Sequence, residues 1–147
     1  MSLPGPSLRA MSQLTAGSPA PDFTLSDQHG APVALADYAG RKVLVFFYPK
    51  ADTPGCTTQA CGLRDVAEDI GDTVVVGISP DLPPKLEKFD TKHDLGFTLL
   101  SDPEHTVAEA YGVWGEKKLY GKVYMGIVRS SFLIDEQGRL EQVWYKI

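Results

Sequence analysis

The sequence contains little cysteine and little histidine, and this limits the chemistry and the stabilisation available to it. Its 147 residues include two cysteines and three histidines. Two cysteines cannot build a disulfide scaffold, and the three scattered histidines form no zinc-binding pattern. A chain of this length buries roughly two thirds of the surface that it exposes when unfolded, so it can fold without disulfides or metal ions. We therefore expect no metal ion and no cofactor.

Long apolar runs and an excess of basic residues are also missing. No stretch approaches the roughly 20 apolar residues of a membrane span, and the amino-terminal region lacks the continuous apolar segment of a signal peptide. The formal net charge is −5, whereas nucleic acids and anionic membranes select basic surfaces. The sequence therefore predicts a protein without nucleic-acid or membrane partners.

Composition divides the chain into a short leader and one domain. Residues 1–20 are rich in Ser, Pro, Gly and Ala, which predicts a flexible leader. Residues 21–147 show no internal repeat and no shift in composition, so we expect them to form one domain of ordinary size.

The domain alternates strand patterns with helix patterns and finishes in a hairpin. Strands are predicted at 42–48, 73–79 and 97–100, hairpins at 23–35 and 126–145, and helices at 53–70, 83–93 and 106–111. The apolar run 42–48 is typical of a central strand that is buried on both faces. This order predicts an α/β fold with a mixed central sheet and helices on both faces. Sites in such folds collect at the carboxyl ends of strands, and both cysteines follow the first long strand.

Cys56 lies at the predicted start of the helix that follows this strand. Thr53 is a good N-cap and Pro54 suits the first helical position, so Cys56 falls in the first turn. Unpaired N–H groups and the helix macrodipole stabilise a thiolate there. Such surroundings lower a cysteine pKa from about 8.5 to roughly 3.5–7.5. Position alone therefore makes Cys56 the better nucleophile of the two cysteines.

The spacing of Cys56 and Cys61 sets a condition on any disulfide between them. Five residues along an intact helix separate two Cα atoms by roughly 8.7 Å, whereas a disulfide needs less than about 7 Å. The bond therefore requires local unwinding, which Gly55 and Gly62 favour because glycine weakens a helix. Taken alone, however, Cys-x4-Cys is weak evidence, since helical cysteines are commonly buried apolar residues.

The residues around the cysteines resemble the peroxiredoxins, specifically the bacterioferritin comigratory protein or peroxiredoxin Q group. The family pattern Pro-x-x-x-Thr-x-x-Cys is met by Pro49, Thr53 and Cys56. A second cysteine five residues on is characteristic of many members, and segments 111–118 and 125–135 also look like this group. The resemblance runs from about Gly17 to the carboxyl terminus and implies a thioredoxin-like fold.

This resemblance implies a thiol peroxidase that reduces hydrogen peroxide and organic hydroperoxides. Cys56 is then the peroxidatic cysteine, which is oxidised to a sulfenic acid, and Cys61 is the resolving cysteine, which forms an intramolecular disulfide with it. Thr53 contributes a hydrogen-bond donor and Arg129 a cation to the thiolate and the peroxide, while Pro49 shields the sulfur from water. Thioredoxin or a similar thiol reductant then reduces the disulfide.

The implied chemistry also bears on assembly and location. A disulfide formed within one chain needs no partner subunit, so a monomer is the simplest expectation. A transient disulfide, with no targeting signal in the sequence, fits a cytoplasmic enzyme.

Two other functions stay open on the residues alone. A thiol–disulfide oxidoreductase without peroxidase activity keeps the fold and both cysteines but does not need Thr53 or Arg129. A binding domain uses its cysteines only as core residues. Each implied site residue also has a structural interpretation, because Thr53 can act only as an N-cap, Pro49 can end a strand and Arg129 can extend into solvent.

Overall fold

The fold is built around a mixed sheet. A computed structural model describes residues 14–50, 58, 62 and 73–145. The strands in these ranges are β1 (Thr24–Asp27), β2 (Pro32–Ala34), β3 (Val43–Phe47), β4 (Val74–Ser79), β5 (Thr98–Ser101), β6 (Trp114–Leu119), β7 (Lys122–Ile127), β8 (Ser130–Ile134) and β9 (Leu140–Tyr145). The helices are α1 (Pro83–His93) and α2 (Thr106–Ala110), and a 3₁₀ turn spans Leu35–Tyr38.

Strand β3 lies inside the main sheet, as its unbroken apolar sequence predicts. Seven strands form this sheet in the order β2-β1-β5-β4-β3-β8-β9. Strand β3 is parallel to β4, from Val43 opposite Val74 to Phe47 opposite Ile78, and antiparallel to β8 over the same five residues. Strands β4 and β5 are also parallel, while β1, β2 and β9 pair antiparallel with their neighbours.

Helices cover both faces of the sheet, which confirms the predicted layers. Helix α1 buries Leu86 and Phe89 against one face. Helix α2 buries Val107 and Ala108 in the larger core on the opposite face. Alternate residues of β3 enter the two cores, because successive side chains of a strand point to opposite faces.

The first hairpin forms where the sequence predicts it. The Asp27 carboxylate accepts hydrogen bonds from the backbone N–H groups of His29 (2.8 Å) and Ala31 (3.0 Å). Gly30 adopts a φ of 84°, which glycine tolerates without strain. An Asx-type turn of this kind explains why the polar segment between β1 and β2 reverses the chain.

Residues 14–20, the described part of the predicted leader, make backbone contacts with the domain. The Gly17 N–H donates to the Leu140 carbonyl at 2.7 Å, and the Ala20 N–H donates to the Gly138 carbonyl at 2.9 Å. Pro19 forms an isolated bridge with Arg139, and Ala20 is buried. These contacts attach residues 17–20 to the start of β9 and to the turn before it, and the flexibility of residues 1–20 stays a prediction.

A separate two-stranded sheet, formed by β6 and β7, is an element that the sequence patterns do not predict. The predicted hairpin 126–145 begins too early, because β7 ends at Ile127 and the closing hairpin starts at Ser130. The turn between β6 and β7 consists of Tyr120 (φ 52°) and Gly121 (φ 79°). Two consecutive positive φ angles are what a two-residue type I′ turn requires.

The predicted cysteine helix, 53–70, lies outside the described residues except at two positions. Thr58 and Gly62 are both helical and exposed. Across the ranges that the structure describes, no helix is long and apolar enough to cross a membrane.

Candidate active site

Two of the predicted site residues lie at one edge of the main sheet. Pro49 follows β3 by two residues, and Arg129 directly precedes β8. The two strands are antiparallel, with Phe47 opposite Ser130, so the carboxyl end of β3 lies beside the amino end of β8. Both Pro49 and Arg129 are half-buried. The sheet therefore brings a proline and a cation together where the first parallel strand ends, as expected of a site in an α/β fold.

The other three predicted site residues, Thr53, Cys56 and Cys61, lie outside the described residues. Lys50 is the last described residue before Thr53 and Cys56. Lys50 is only three residues beyond Phe47, the last residue of β3.

Tyr48 is held in place directly after the end of β3. Its side chain is fully buried, with ring centroids 5.3 Å from Phe46 and 6.0 Å from Phe89 of α1. The Tyr48 N–H donates to the Ile78 carbonyl at 3.1 Å, which continues the pairing with β4 beyond the strand. Because backbone and ring are both held, Pro49 follows a fixed residue.

Backbone contacts hold the chain on both sides of Arg129. The Val128 N–H donates to the Val113 carbonyl at 2.7 Å. The Ser130 hydroxyl donates to the Val128 carbonyl at 3.0 Å, and Ser130 is fully buried. These contacts join the start of β8 to the segment that links α2 with β6.

Sequence reasoning missed one polar contact near this edge. The Lys117 ammonium donates to the Ile127 carbonyl at 2.9 Å, two residues before Arg129. No short-range signal could have found it, because Tyr120–Gly121 is not one of the Asn-Gly or Asp-Gly pairs that typically mark a two-residue turn. Within the described part of the chain, no group of three or more His, Cys, Asp or Glu side chains is arranged to hold a metal ion.

The chain is similar to known proteins along most of its length. Residues 16–143 match the AhpC/TSA family. The chain belongs to the AhpC/TSA family. It is 58% identical over 138 residues to the putative peroxiredoxin Bcp of Haemophilus influenzae, covering 92% of this chain and 89% of that protein. It is 55% identical over 136 residues to peroxiredoxin Bcp of Escherichia coli, covering 91% and 87% of the two chains.

Solved peroxiredoxin structures share the fold. A cysteine-to-serine variant of peroxiredoxin Q from Xanthomonas campestris superposes with a TM-score of 0.83 at 33% identity, covering 91% of this chain and 89% of that one. Peroxidoxin BcpB of Mycobacterium tuberculosis gives a TM-score of 0.81 at 37% identity, covering 91% and 87%. The predicted thioredoxin-like α/β fold and the resemblance to the Bcp and peroxiredoxin Q group are both confirmed.

These findings decide between the functions that the residues alone leave open. This AhpC/TSA protein is a peroxiredoxin, and hence an enzyme with thiol peroxidase activity, as predicted. Its substrate is a peroxide and its reductant a thiol. The oxidoreductase without peroxidase activity and the simple binding domain are not favoured.

Proposed function

We propose that this peroxiredoxin reduces hydrogen peroxide and organic hydroperoxides through Cys56, that Cys61 resolves the oxidised form, and that thioredoxin recycles the disulfide. One observation carries the proposal. Pro49 and Arg129 share the sheet edge, and Lys50, the last described residue of this segment, is only six residues before Cys56 in the sequence.

The first step is a displacement on oxygen. The Cys56 thiolate attacks one peroxide oxygen in line, the O–O bond breaks, and the departing oxygen takes a proton to leave as water or an alcohol. Cys56 gains the attacked oxygen and becomes a sulfenic acid, while the peroxide is reduced by two electrons. During this step negative charge moves from the sulfur to the departing oxygen. Hydrogen-bond donors and cations that are already fixed around these atoms therefore lower the activation barrier.

Arg129 fits the role of that fixed cation. An arginine is charged at every physiological pH, and its planar group donates several hydrogen bonds at once. It stabilises both the thiolate before the reaction and the oxygen that departs. The Thr53 hydroxyl adds a donor, and Pro49, which lacks an N–H, limits the access of water to the sulfur.

The second and third steps are thiol chemistry. The Cys61 sulfur attacks the Cys56 sulfur, water leaves, and a disulfide forms once the intervening helix has unwound. A reduced dithiol of thioredoxin then exchanges with this disulfide, which returns both cysteines to thiols and leaves thioredoxin oxidised.

The activity of a structural relative supports organic hydroperoxides as substrates. The bacterioferritin comigratory protein of Xanthomonas campestris has alkyl peroxide reduction activity, and its structure superposes with a TM-score of 0.82 at 33% identity. We extend that activity to this chain as part of the proposal.

The proposed function includes the domain that acts, its oligomeric state and its location in the cell. Residues 21–147 form the domain that carries the whole activity, and residues 14–20 contribute backbone contacts to it. The enzyme acts as a monomer, because both cysteines belong to one chain. It works in the cytoplasm, where thiol reductants keep such disulfides transient.

Substitution of the two cysteines separates the steps. Cys56→Ser abolishes peroxide turnover, because no sulfur is left to attack the O–O bond. Cys61→Ser still reacts once with peroxide, giving a sulfenic acid that dimedone traps and intact mass detects, but thioredoxin-coupled turnover falls. Normal turnover by Cys56→Ser contradicts the role of Cys56, and full thioredoxin-coupled turnover by Cys61→Ser contradicts the role of Cys61.

A third variant tests the cation. Arg129→Met lowers the single-turnover rate constant with hydrogen peroxide roughly 100-fold or more, the usual effect of removing one donor to a developing charge. The control is Arg139→Met, since Arg139 is exposed and donates to the Gly17 carbonyl at 3.1 Å. Equal rates in both variants contradict the assignment of Arg129.

A further inference from the structure

The side chain of Lys117 crosses the β6–β7 hairpin instead of extending into solvent. In the hairpin register Lys117 lies opposite Tyr124, and Gly115 lies opposite Gly126. The Lys117 stem passes diagonally over Gly126, and its ammonium reaches the Ile127 carbonyl at 2.9 Å. The side chain is half-buried along this path.

Gly126 is the residue that leaves room for this path. A Cβ atom added at Gly126 would lie 3.0 Å from Lys117 Cδ and 3.4 Å from the Tyr124 ring. The separation from Lys117 Cδ is shorter than an ordinary van der Waals contact, whereas the separation from the Tyr124 ring is an ordinary one. A Cβ atom at this position therefore requires the lysine stem to move by a few tenths of an ångström, so Gly126 leaves the room that the stem occupies.

The Lys117 contact is one of three hydrogen bonds that hold the backbone next to Arg129. The Ile127 carbonyl is held by Lys117, and the Val128 carbonyl by the Ser130 hydroxyl. The Val128 N–H is held by the Val113 carbonyl. Ile127 and Ser130 are both buried. The backbone is thus fixed immediately before and after Arg129 by groups from β6, from β8 and from the segment that precedes β6.

We propose that Lys117 is a positioning residue for Arg129, and that it acts by holding the Ile127 carbonyl through a path opened by Gly126. This inference rests on the proposed role of Arg129 as the cation of the peroxidase site. A charge-assisted hydrogen bond to a carbonyl is among the stronger contacts available to the backbone. A displacement of about 1 Å at a reacting group is enough to slow a reaction by as much as roughly 100-fold.

The first experiment compares two lysines of the same hairpin. Lys117→Met keeps most of the apolar stem but removes the donor, and Lys122→Met removes an exposed lysine at the start of β7. The readouts are the single-turnover rate constant with hydrogen peroxide and the pH dependence of Cys56 alkylation by iodoacetamide. We expect Lys117→Met to lower the rate constant roughly 10-fold or more and to move the alkylation midpoint to higher pH. Lys122→Met should leave both readouts unchanged.

A role confined to hairpin stability has a different signature. In that case Lys117→Met has a lower melting temperature, but the pH midpoint of Cys56 alkylation in the folded enzyme is unchanged. That result overturns the proposal. Lys117→Arg should retain most of the rate, because a guanidinium can still donate to the Ile127 carbonyl. Gly126→Ala keeps the lysine but crowds its stem, so it should change both readouts in the same direction as Lys117→Met and by a smaller amount, and it provides a second test if Lys117→Met folds poorly.

A double-mutant cycle connects the effect to Arg129. If Lys117 acts through Arg129, Lys117→Met has no further effect in the Arg129→Met background. Equal losses in both backgrounds overturn the proposal. An unchanged rate in Lys117→Met beside a large loss in Arg129→Met overturns the positioning role and leaves the proposed function intact. An unchanged rate in Arg129→Met overturns the role of Arg129 and, with it, this inference.

Discussion

At the scale of single residues, Gly77 shows how closely the sheet is packed behind the site. Gly77 lies opposite Phe46 in the parallel pair of β3 and β4. A Cβ atom at Gly77 would lie 2.6 Å from Phe46 Cζ and 3.1 Å from Leu99 Cδ2. Phe46 in turn stacks on Tyr48, which precedes Pro49. The absence of one side chain therefore allows the aromatic rings beneath the sheet edge to pack.

Gly77→Ala should lower the free energy of unfolding by about 1–3 kcal/mol, the usual effect of overpacking a core. Urea unfolding monitored by fluorescence measures the change. The matched control is Gly62→Ala, because Gly62 is exposed and an added Cβ there meets none of the described atoms within 4 Å. Similar losses in both variants would show that crowding against Phe46 is not the cause.

At the scale of elements, the helix predicted to carry both cysteines has to be stable enough to form and weak enough to unwind. Gly62 is helical and follows Cys61 directly. A glycine inside a helix costs roughly 1 kcal/mol relative to alanine. On the proposed mechanism, this weakness lowers the barrier to the conformation in which the disulfide closes.

Gly62→Ala should raise the free energy of unfolding by about 0.5–1 kcal/mol and slow disulfide formation after the sulfenic acid has formed. The rate of the first oxidation should not change, since the thiolate reacts while the helix is intact. Stopped-flow fluorescence resolves the two steps. A stabilised variant that closes its disulfide at the wild-type rate would show that unwinding does not extend to Gly62.

The elements also show what local sequence can predict. Strand β3 is predictable because its apolar residues are consecutive and buried on both faces, and helix α1 because its buried residues recur at helical spacing. Strand β7 is not, because Lys122–Met125 is exposed throughout and no alternation marks a buried face. Pro49 and Arg129 are named by a sequence pattern, but their common location depends on the pairing of β3 with β8. Such long-range pairing has no local signature.

At the scale of the whole molecule, two tyrosines join distant parts of the chain. The Tyr145 hydroxyl donates to the Tyr111 carbonyl at 2.7 Å and accepts from the Leu14 N–H at 2.7 Å. The Tyr111 hydroxyl donates to the Pro21 carbonyl at 2.7 Å. Burial raises the pKa of both tyrosines, with a further contribution from Asp22 at Tyr111 and an opposing one from the Leu14 N–H at Tyr145.

These shifts predict a loss of stability in alkali. Below the ordinary tyrosine pKa of about 10, the folded and unfolded chains both keep these protons, and the contribution of the tyrosines to stability is fully present. Above that pH the unfolded chain loses protons that the folded chain retains, so stability falls as the pH rises towards the higher folded pKa values.

Tyr145→Phe should lower the free energy of unfolding at pH 7 by about 1–3 kcal/mol, because the Leu14 N–H and the Tyr111 carbonyl each lose a partner. Its stability should also fall less steeply than that of the wild type above about pH 10. Urea unfolding between neutral and alkaline pH measures both effects. Tyr120→Phe is the control, because Tyr120 is 93% exposed. Parallel pH curves for wild type and Tyr145→Phe would contradict this account.

The parallel pairing of β3 with β4 has a consequence for amide hydrogen exchange. The chain between these strands carries both cysteines, and its two ends are fixed by the Tyr48 N–H on the Ile78 carbonyl and the Val74 N–H on the Lys42 carbonyl. Exchange of buried sheet amides requires large-scale opening, whereas a change within a connection needs only local opening. The amides of β3 and β4 should therefore exchange equally slowly in the reduced and disulfide forms. Exchange rates should differ between the two forms only for the amides of the connection between β3 and β4.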